Sequence, residues 1–328
     1  MVTDTNKKLS IMYIYEILKE YSDENHLLTQ QDIIKLIKQI YDMDCERKSI
    51  GNNIDFLIDL GFDIIKVPHK GCYLGERVLE PSEVSFIVDS LFSSKSISGK
   101  QAKDLSSKLS NLLSKYQRKR YNYIYKAEQV NRTNNKELFY NIEIIQEAIE
   151  KNKKISFNYI RPHYEKDNPQ KVYIVNPYFL VNNQGRYYLI CNFDYFNEIG
   201  NYKVDFIKNI KILDEERKPI TNIKGFERGI DISKYINEHI YVFGDKTINA
   251  TIKLADDNSI TYVMEWFGKN AKIYKKNNTT YADIVSSEKA LVYWCLQYGE
   301  SVELTEPTET RNKIKEKVKM ICEKYGEL

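Results

Sequence analysis

The 328-residue chain has few cysteines, few histidines and none of the short motifs that usually mark an active site. Its five cysteines are odd in number and never form a C-x-x-C pair, so the sequence supports neither a disulfide framework nor a zinc knuckle. The four histidines lie in unrelated segments, and no H-E-x-x-H, P-loop or G-x-G-x-x-G run is present. The sequence therefore predicts no metal site, no cofactor and no enzymatic activity.

Signals for secretion and for membrane insertion are also missing. The first residues are polar, and no stretch approaches the roughly 18 apolar residues that span a bilayer. We therefore expect a cytoplasmic protein with no membrane partner. The composition, with 42% hydrophobic and 29% charged residues, is typical of folded domains. A chain of this length exceeds what one hydrophobic core usually serves, which predicts two or three domains.

Residues 1–78 have the pattern of three helices followed by a hairpin. Apolar residues recur at helical spacing over 9–21, 33–40 and 50–58, and Asp44 is in position to cap the third helix. Two short β-rich runs between 62 and 74 predict the hairpin. This is the order of a winged helix-turn-helix, in which one helix enters the major groove of double-stranded DNA.

The polar face of the third helix and the tip of the hairpin carry groups that bind DNA in other proteins. Asn makes bidentate contacts to adenine, while Arg and Lys contact guanine or phosphate. The alternative is an ordinary solvated helix face. The candidate DNA-binding residues are Arg47, Lys48, Ser49, Asn52, Asn53, His69 and Lys70.

The charge of this head argues against strong DNA binding by the head alone. Residues 1–75 contain nine Lys and Arg against twelve Asp and Glu, a net charge of 9 − 12 = −3. Phosphate neutralisation supplies most non-specific affinity for DNA. We therefore expect the head to depend on a local basic face or on a second copy in a homodimer.

Residues 79–135 predict a basic helical connector. Between residues 95 and 135 there are ten Lys and Arg against two acidic residues, the largest charge asymmetry in the chain. Arg118, Lys119 and Arg120 precede three tyrosines between 121 and 125, which predicts phosphate contacts combined with base stacking. The alternative is a solvated helix end with the tyrosines packed inward.

Residues 136–235 predict one amphipathic helix, at 137–151, followed by five short antiparallel strands. Asn and Gly at 182–185 favour a tight hairpin turn. A helix that leads into five such strands predicts a small Sm-like β-barrel. The predicted strands span 154–160, 171–181, 186–192, 202–207 and 211–213.

Residues 236–328 predict a separate α+β domain. Strands and helices alternate between 247 and 304 in the order β-α-β-β-α-β, which is the ferredoxin-like arrangement. An amphipathic helix follows at 308–325. The predicted fold is thus multidomain α+β, with a winged helix-turn-helix head (1–78), a helical connector (79–135), an Sm-like five-stranded β-barrel (136–235) and a ferredoxin-like C-terminal domain (236–328).

Three runs in the barrel segment resemble the signature of the WYL domain, a bacterial ligand-sensing module usually attached to a DNA-binding head. They are Asn176-Pro177-Tyr178, Tyr187-Tyr188-Leu189 and residues 202–207. Residues 294–307 resemble the C-terminal extension that accompanies WYL domains. The third helix resembles the R-K-S/T-I-Y-R-D-I run of such heads, but Gly51 and Asn52 replace its Tyr and Arg.

The resemblance implies a pocket for a nucleotide or single-stranded nucleic acid. Lys203 stands where Arg is usual and Phe206 where a second Arg is expected, so a bidentate phosphate clamp is lost. For the run 187–189 the alternative is that some side chains are only core. The residues that the resemblance assigns to ligand binding are Asn176, Tyr178, Tyr187, Tyr188, Lys203 and Asp205.

The function that the resemblance implies is transcriptional regulation by a homodimer that binds double-stranded DNA and a nucleotide or single-stranded effector. The rival is an accessory protein that binds single-stranded nucleic acid through the sensor and connector, with the head serving assembly. The net negative head and the replaced Tyr and Arg favour the rival.

Overall fold

The computed structural model describes residues 4–119, 136–161 and 171–326, with side chains from Leu9 onward. The chain forms two compact units, Met1–Lys136 and Glu137–Leu328. The architecture is α+β, with helices at the N-terminus and antiparallel sheets of two, five and four strands. The finer division into four domains stays a prediction. Arg120 and the tyrosines at 121–125 lie outside the described residues.

The first unit begins with three helices and a hairpin, in the predicted order. The helices are α1 (Asp4–Tyr21), α2 (Gln30–Tyr41) and α3 (Arg47–Asp59), and β1 (Ile64–Val67) pairs antiparallel with β2 (Gly71–Leu74). Their apolar sides meet in one core, because residues three and four apart share a helix face. The most deeply buried members include Ile14, Leu18, Ile33, Ile37, Ile50 and Ile54.

Helix capping explains where α2 begins but not where α3 begins. Thr29 and Asp32 form a capping box in which the Thr29 side chain accepts from Asp32 N and the Asp32 carboxylate accepts from Thr29 N. The prediction that Asp44 caps α3 is wrong. Glu46 occupies the N-cap position without a side-chain cap bond, and the Asp44 carboxylate lies 3.1 Å from Lys38 Nζ instead.

Three further helices complete the described part of the first unit, and a buried polar network fixes them to the head. They are α4 (Pro81–Ser93), α5 (Gly99–Ser110) and α6 (Lys115–Arg118). At the end of α1, buried Asp23 accepts from Ser114 Oγ at 2.7 Å and lies 2.7 Å from His26 Nδ1. Arg77 donates to the carbonyl oxygen of Ser22 at 2.7 Å. We refer to these five residues as the junction network.

The second unit opens with α7 (Leu138–Glu150) and a sheet of five antiparallel strands. The strands are β3 (Lys153–Tyr159), β4 (Val172–Asn183), β5 (Arg186–Asn192), β6 (Ile199–Lys203) and β7 (Ile207–Glu216), in the order β6-β5-β4-β3-β7. In the predicted turn, Gln184 and Gly185 both have positive φ, at 49° and 72°. A two-residue turn of this kind joins β4 to β5.

The predicted closed barrel is corrected to an open, bent sheet. Within the described residues, β6 and β7 lie at opposite edges of the sheet. Pro177 has no N–H to donate, and the register of β4 shifts between Pro177 and Phe179. Residues 172–175 therefore pair with β3, and residues 176–183 pair with β5. The predicted strand at 202–207 is wrong as well, because β6 ends at Lys203 and a 3-10 turn, Val204–Phe206, leads into β7.

The rest of the second unit follows the predicted β-α-β-β-α-β order. After α8 (Ile232–Glu238) come β8 (Thr247–Leu254), α9 (Ser259–Phe267), β9 (Lys272–Lys276), β10 (Thr279–Ser287), α10 (Glu288–Gln297) and β11 (Val302–Glu306), and α11 (Thr308–Lys324) ends the chain's helices. The sheet order is β11-β8-β10-β9, and Trp294 is fully buried in its core. None of the helices in the described segments is both long and apolar enough to cross a bilayer.

Candidate functional site

The candidate ligand site is centred on an ion pair at the start of β5. Arg186 follows the Gln184–Gly185 turn, and its Nη1 donates to Asp205 Oδ2 at 2.7 Å. Asp205 lies in the 3-10 turn after β6 and is 3% exposed, whereas the Arg186 side chain is 29% exposed. The guanidinium therefore neutralises a buried carboxylate and keeps part of its own surface in solvent.

Lys203 adds a second cation to this pair. It is half-buried at the end of β6, and its Nζ lies 5.6 Å from the centroid of the Phe206 ring. Burial lowers the pKa of the Lys203 ammonium, nearby Arg186 lowers it further, and Asp205 opposes both effects. Two cations thus share one carboxylate and repel each other. A bound anion would relieve this repulsion, so the local field favours a negatively charged ligand.

A series of aromatic rings extends from this ion pair to the loop between β5 and β6. Ring centroids lie 5.8 Å apart for Phe206 and Tyr159, and 5.0 Å apart for Tyr159 and Tyr202. The series continues through Phe193 to Tyr195 and Phe196, whose rings are exposed. We call these six residues the aromatic track. Exposed rings beside cations can stack on nucleic-acid bases.

The structure brings only three of the six predicted ligand residues to this position. Tyr188 pairs with Lys203 across β5 and β6, and alternation along β5 places Tyr188 on the same side as Arg186. Burial raises the pKa of Tyr188. Tyr187 has the opposite orientation, on the side of fully buried Leu189. The predicted ligand residues that lie together are thus Tyr188, Lys203 and Asp205. Arg186, which was not predicted, joins them.

Asn176 and Tyr178 instead support the bend of β4. Asn176 is fully buried, its Nδ2 donates to Asp194 Oδ1 at 2.8 Å, and its Oδ1 accepts from Lys218 N at 2.8 Å. The Tyr178 hydroxyl donates to the carbonyl oxygen of Lys218 at 2.9 Å, and burial raises its pKa. The Arg217 guanidinium lies 5.5 Å from the Tyr178 ring centroid. These side chains hold the segment after β7 and the loop after β5 in place.

Replacing Asn176 by alanine should destabilise the second unit by about 1–3 kcal/mol, because it removes a fully buried amide and leaves the half-buried Lys218 N–H without its acceptor. Urea unfolding followed by tryptophan fluorescence measures this. The matched control is Asn197→Ala in the loop after β5. Asn197 is exposed, so its replacement should change the stability by less than about 0.5 kcal/mol. Equal unfolding midpoints for the two variants would contradict the structural role of Asn176.

Arg186 and Arg217 are functional candidates that the sequence reasoning missed. The signal for Arg186 was present in the hairpin turn, since a two-residue turn fixes the register of β5 and places 186 on the side of 188. No comparable signal marks Arg217, because it follows β7 and reaches Tyr178 only in three dimensions.

The predicted DNA-binding residues divide into exposed and internal groups. Arg47 and Lys48 are exposed in the first turn of α3, and Asn52 is exposed one turn later. Ser49 is half-buried. Asn53 points to α1, where its Nδ2 donates to Ser10 Oγ at 2.9 Å. His69 and Lys70 are exposed at the hairpin tip.

A hollow of about 570 Å³ lies between the start of α2, α3 and the hairpin. Its lining includes Arg47, Lys66 and His69, so cationic and titratable groups surround one concave surface. Arg47 Nε donates to Gln30 Oε1 at 2.8 Å across this hollow. Gly51 makes room for Gln30, because a Cβ at this position would lie 2.9 Å from Gln30 Nε2. Gly51, which stands where the heads that α3 resembles have Tyr, thus shapes the surface beside α3.

In the connector, the two described basic residues differ in their surroundings. Arg118 Nη1 donates to Asn111 Oδ1 at 2.9 Å, and its Nη2 pairs with Glu20 of α1. Lys119 is exposed at the end of α6. Arg118 therefore helps to fix α6 to the head, and Lys119 is the more accessible candidate for phosphate.

Comparison with known proteins identifies a domain family for part of the second unit. Residues 140–212 match the family model of the WYL domain, and this segment contains Arg186, Lys203 and Asp205. No curated protein matches this chain.

Two solved structures are similar over most of the chain. Proteasome accessory factor B/C (PafBC) of Arthrobacter aurescens shares 14% identity at a TM-score of 0.29, and the similarity covers 93% of this chain and 47% of that one. A CRISPR Cas-related protein shares 15% identity at a TM-score of 0.40, with 98% and 86% covered. This chain spans about half the length of PafBC. The match over 140–212 thus identifies a WYL domain within this chain.

Proposed function

We propose that this protein is a non-enzymatic, homodimeric transcriptional regulator that binds double-stranded DNA through its head and a nucleotide or single-stranded nucleic acid through its WYL domain. The observation that carries the proposal is the pair of cations, Arg186 and Lys203, beside one buried carboxylate at the end of the aromatic track. In this proposal, residues 1–78 are a winged helix-turn-helix, 79–135 the connector, 136–235 the sensor and 236–328 a ferredoxin-like extension.

The ligand chemistry follows from the groups at the two ends of the aromatic track, which are cations at one end and exposed rings at the other. A guanidinium has five N–H donors, and the contact to Asp205 uses the Nη1 group. The remaining donors and the Lys203 ammonium suit phosphate oxygens. Bases of the same ligand would stack on exposed Tyr195 and Phe196. Arg186 thus replaces part of the guanidinium chemistry that Phe206 lacks.

Control of the head requires a mechanical link, and the junction network supports one. Asp23 belongs to the segment after α1 and Ser114 caps α6, so the hydrogen bond between them ties the connector to the head. A displacement of α6 would therefore displace the head rather than be absorbed at a flexible joint. Regulation further requires that the ligand bind two arrangements of the heads with different affinity.

The rival function, single-stranded nucleic-acid binding with the head serving assembly, is favoured by the exposed face of α3. Its second half carries Asp55, Phe56 and Asp59, which are groups that do not suit contact with phosphate. Asn53 is bonded to α1 instead of facing solvent. Only the first half of α3, with Arg47, Lys48 and Asn52, has DNA-binding chemistry.

Binding measurements with full-length protein separate the two functions. For duplex fragments enriched from genomic DNA, Asn52→Ala should weaken binding by roughly tenfold, as expected for loss of one base contact. For an oligothymidylate of about 15 nucleotides, Lys203→Gln should weaken binding by a similar factor and leave duplex binding unchanged.

The matched control for both probes is Lys211→Gln, which removes an exposed lysine from β7. Duplex binding that ignores Asn52→Ala would overturn the regulator and support the rival. Oligothymidylate binding that ignores Lys203→Gln would overturn the assignment of the ligand site.

A further inference from the structure

The last helix, α11, is anchored mainly along its first two turns, and beyond them Lys317 Nζ lies 6.0 Å from the centroid of the Tyr293 ring. Thr310 is buried, and its hydroxyl donates to Glu288 Oε1 at 2.8 Å. Lys313 Nζ lies 2.7 Å from the same carboxylate oxygen. The bond from Lys313 lowers the pKa of Glu288, burial opposes this effect and the bond from Thr310 adds to it, so the pKa lies below its usual value. Ile314 packs against the core around Trp294.

Beyond Ile314 the apolar side of α11 is exposed. Val318 and Ile321 are 44% and 42% exposed, and Tyr325 is exposed after the end of the helix. Ile314, Val318, Ile321 and Tyr325 are spaced by four, three and four residues, which places them in one stripe. Most helical stability in proteins comes from packing of such a stripe. The outer part of this stripe, Val318, Ile321 and Tyr325, therefore has the properties of a contact surface.

The charge of α11 selects among possible partners. The helix has six Lys and Arg (Arg311, Lys313, Lys315, Lys317, Lys319 and Lys324) against three Glu (Glu309, Glu316 and Glu323), a net charge of 6 − 3 = +3. Lys317 and Lys324 are seven residues apart and lie along one edge of the stripe. Antiparallel pairing of two α11 helices would bring this edge against itself and place like charges together, which is unfavourable. An acidic surface with an apolar centre is the complement.

The head of the same protein has a surface of this kind on the second half of α3. Phe56 and Leu60 are one turn apart, 53% and 59% exposed, and adjacent on the helix. Asp55 and Asp59 lie beside them, and both are exposed, although Asp55 also pairs with Lys66 of β1. Residues 1–75 have a net charge of −3. We call these four residues the α3 patch.

We propose that α11 of one copy docks on the α3 patch of a second copy, with Val318, Ile321 and Tyr325 against Phe56 and Leu60. Lys317 and Lys324 face Asp55 and Asp59. Both surfaces are exposed in a single copy, so a second copy supplies each with its complement. A two-fold arrangement makes the contact twice and closes the assembly as a dimer. The inference deepens the homodimer of the proposed function and depends on neither the ligand nor the DNA.

Disulfide trapping tests which copy supplies the helix. Cys322 lies beside Ile321 and is half-buried, and Leu60→Cys places a thiol in the α3 patch. In full-length protein that also carries Cys45→Ser, mild oxidation should give a covalent dimer on a non-reducing gel. Adding Cys322→Ser should abolish that band. A disulfide within one chain, or two thiols that stay free, would overturn docking between copies.

Charge exchange tests the same contact without oxidation. Lys317→Glu with Lys324→Glu should weaken self-association, measured by sedimentation, by more than about tenfold. Adding Asp55→Lys and Asp59→Lys should restore it, whereas the control Lys319→Glu, on the far side of α11, should have no effect. Unchanged self-association in the first variant would overturn the proposal. Duplex and oligothymidylate binding are measured on the same samples. Unchanged self-association contradicts only the docking of α11, whereas altered nucleic-acid binding bears on the regulator function.

Discussion

Replacing Arg186 by methionine is expected to destabilise the second unit by about 3 kcal/mol. The change removes the guanidinium that donates to the buried Asp205 carboxylate, and removal of one partner from a buried ion pair costs about 3–5 kcal/mol. Because the Arg186 side chain is 29% exposed, the lower end of that range applies. Lys203 and Tyr188 also lose the neighbour that fixes the start of β5.

The double variant Arg186→Met with Asp205→Asn distinguishes charge from packing. Asp205→Asn removes the negative charge that Arg186 neutralises in the wild type. Most of the stability lost in Arg186→Met should therefore return, because the two changes act on one interaction. Urea unfolding followed by tryptophan fluorescence reports on the second unit, since both tryptophans, Trp266 and Trp294, belong to it. If the double variant lost as much free energy of unfolding as the two single variants together, Arg186 and Asp205 would not be coupled.

Replacing Asp23 by alanine is expected to destabilise the first unit by about 2–3 kcal/mol. The change leaves the buried Ser114 hydroxyl without its acceptor and removes the carboxylate beside His26. Asp23→Ala also makes the stability of the first unit less dependent on pH in the acid range. Burial raises the pKa of Asp23, but hydrogen bonds from Ser114, His26 and Asn25 outweigh burial and lower it below the usual value.

The direction of this pH dependence follows from the lowered pKa. The stability that Asp23 contributes is fully present above the ordinary Asp pKa of about 3.9 and is lost as the pH falls through the lower pKa of the folded state. Hydrogen exchange of α1, measured by mass spectrometry between neutral pH and about pH 3, should show this loss in the wild type and a weaker one in Asp23→Ala. The control Asp89→Ala removes an exposed carboxylate from α4 and should behave as the wild type. Equal pH dependence in Asp23→Ala would exclude Asp23 as the cause.

The three helices of residues 1–78 were predictable because each carries its own periodic signal. Thr29 and Asp32 identify the start of α2, and the apolar spacing of Ile33 and Ile37 identifies its buried face. The cap of α3 was not predictable in the same way. Asp44 has the right side chain, but Lys38 competes for it from the end of α2, a contact that depends on how two helices meet.

The candidate site was only partly predictable for a related reason. Strand alternation assigns Tyr188 and Tyr187 to opposite faces, but it does not say which face meets a cation. That depends on the 3-10 turn that replaces the predicted strand at 202–207 and brings Asp205 to Arg186. Similarly, Asn176 has the chemistry of a ligand contact, and only the bend of β4 shows that its amide is used internally.

The sequence by itself determined the order of helices and strands, the WYL resemblance, the acidic head and the basic connector, because these follow from local spacing and composition. Only the tertiary structure decided that the five-stranded sheet is open, that Arg186 is part of the candidate site, and that the α3 patch and the end of α11 are exposed. The physical reason is that burial and ion pairing depend on residues far apart in the chain, such as Arg186 and Asp205. A periodic pattern identifies the face that a helix or strand buries, but it does not identify the residues against which that face packs.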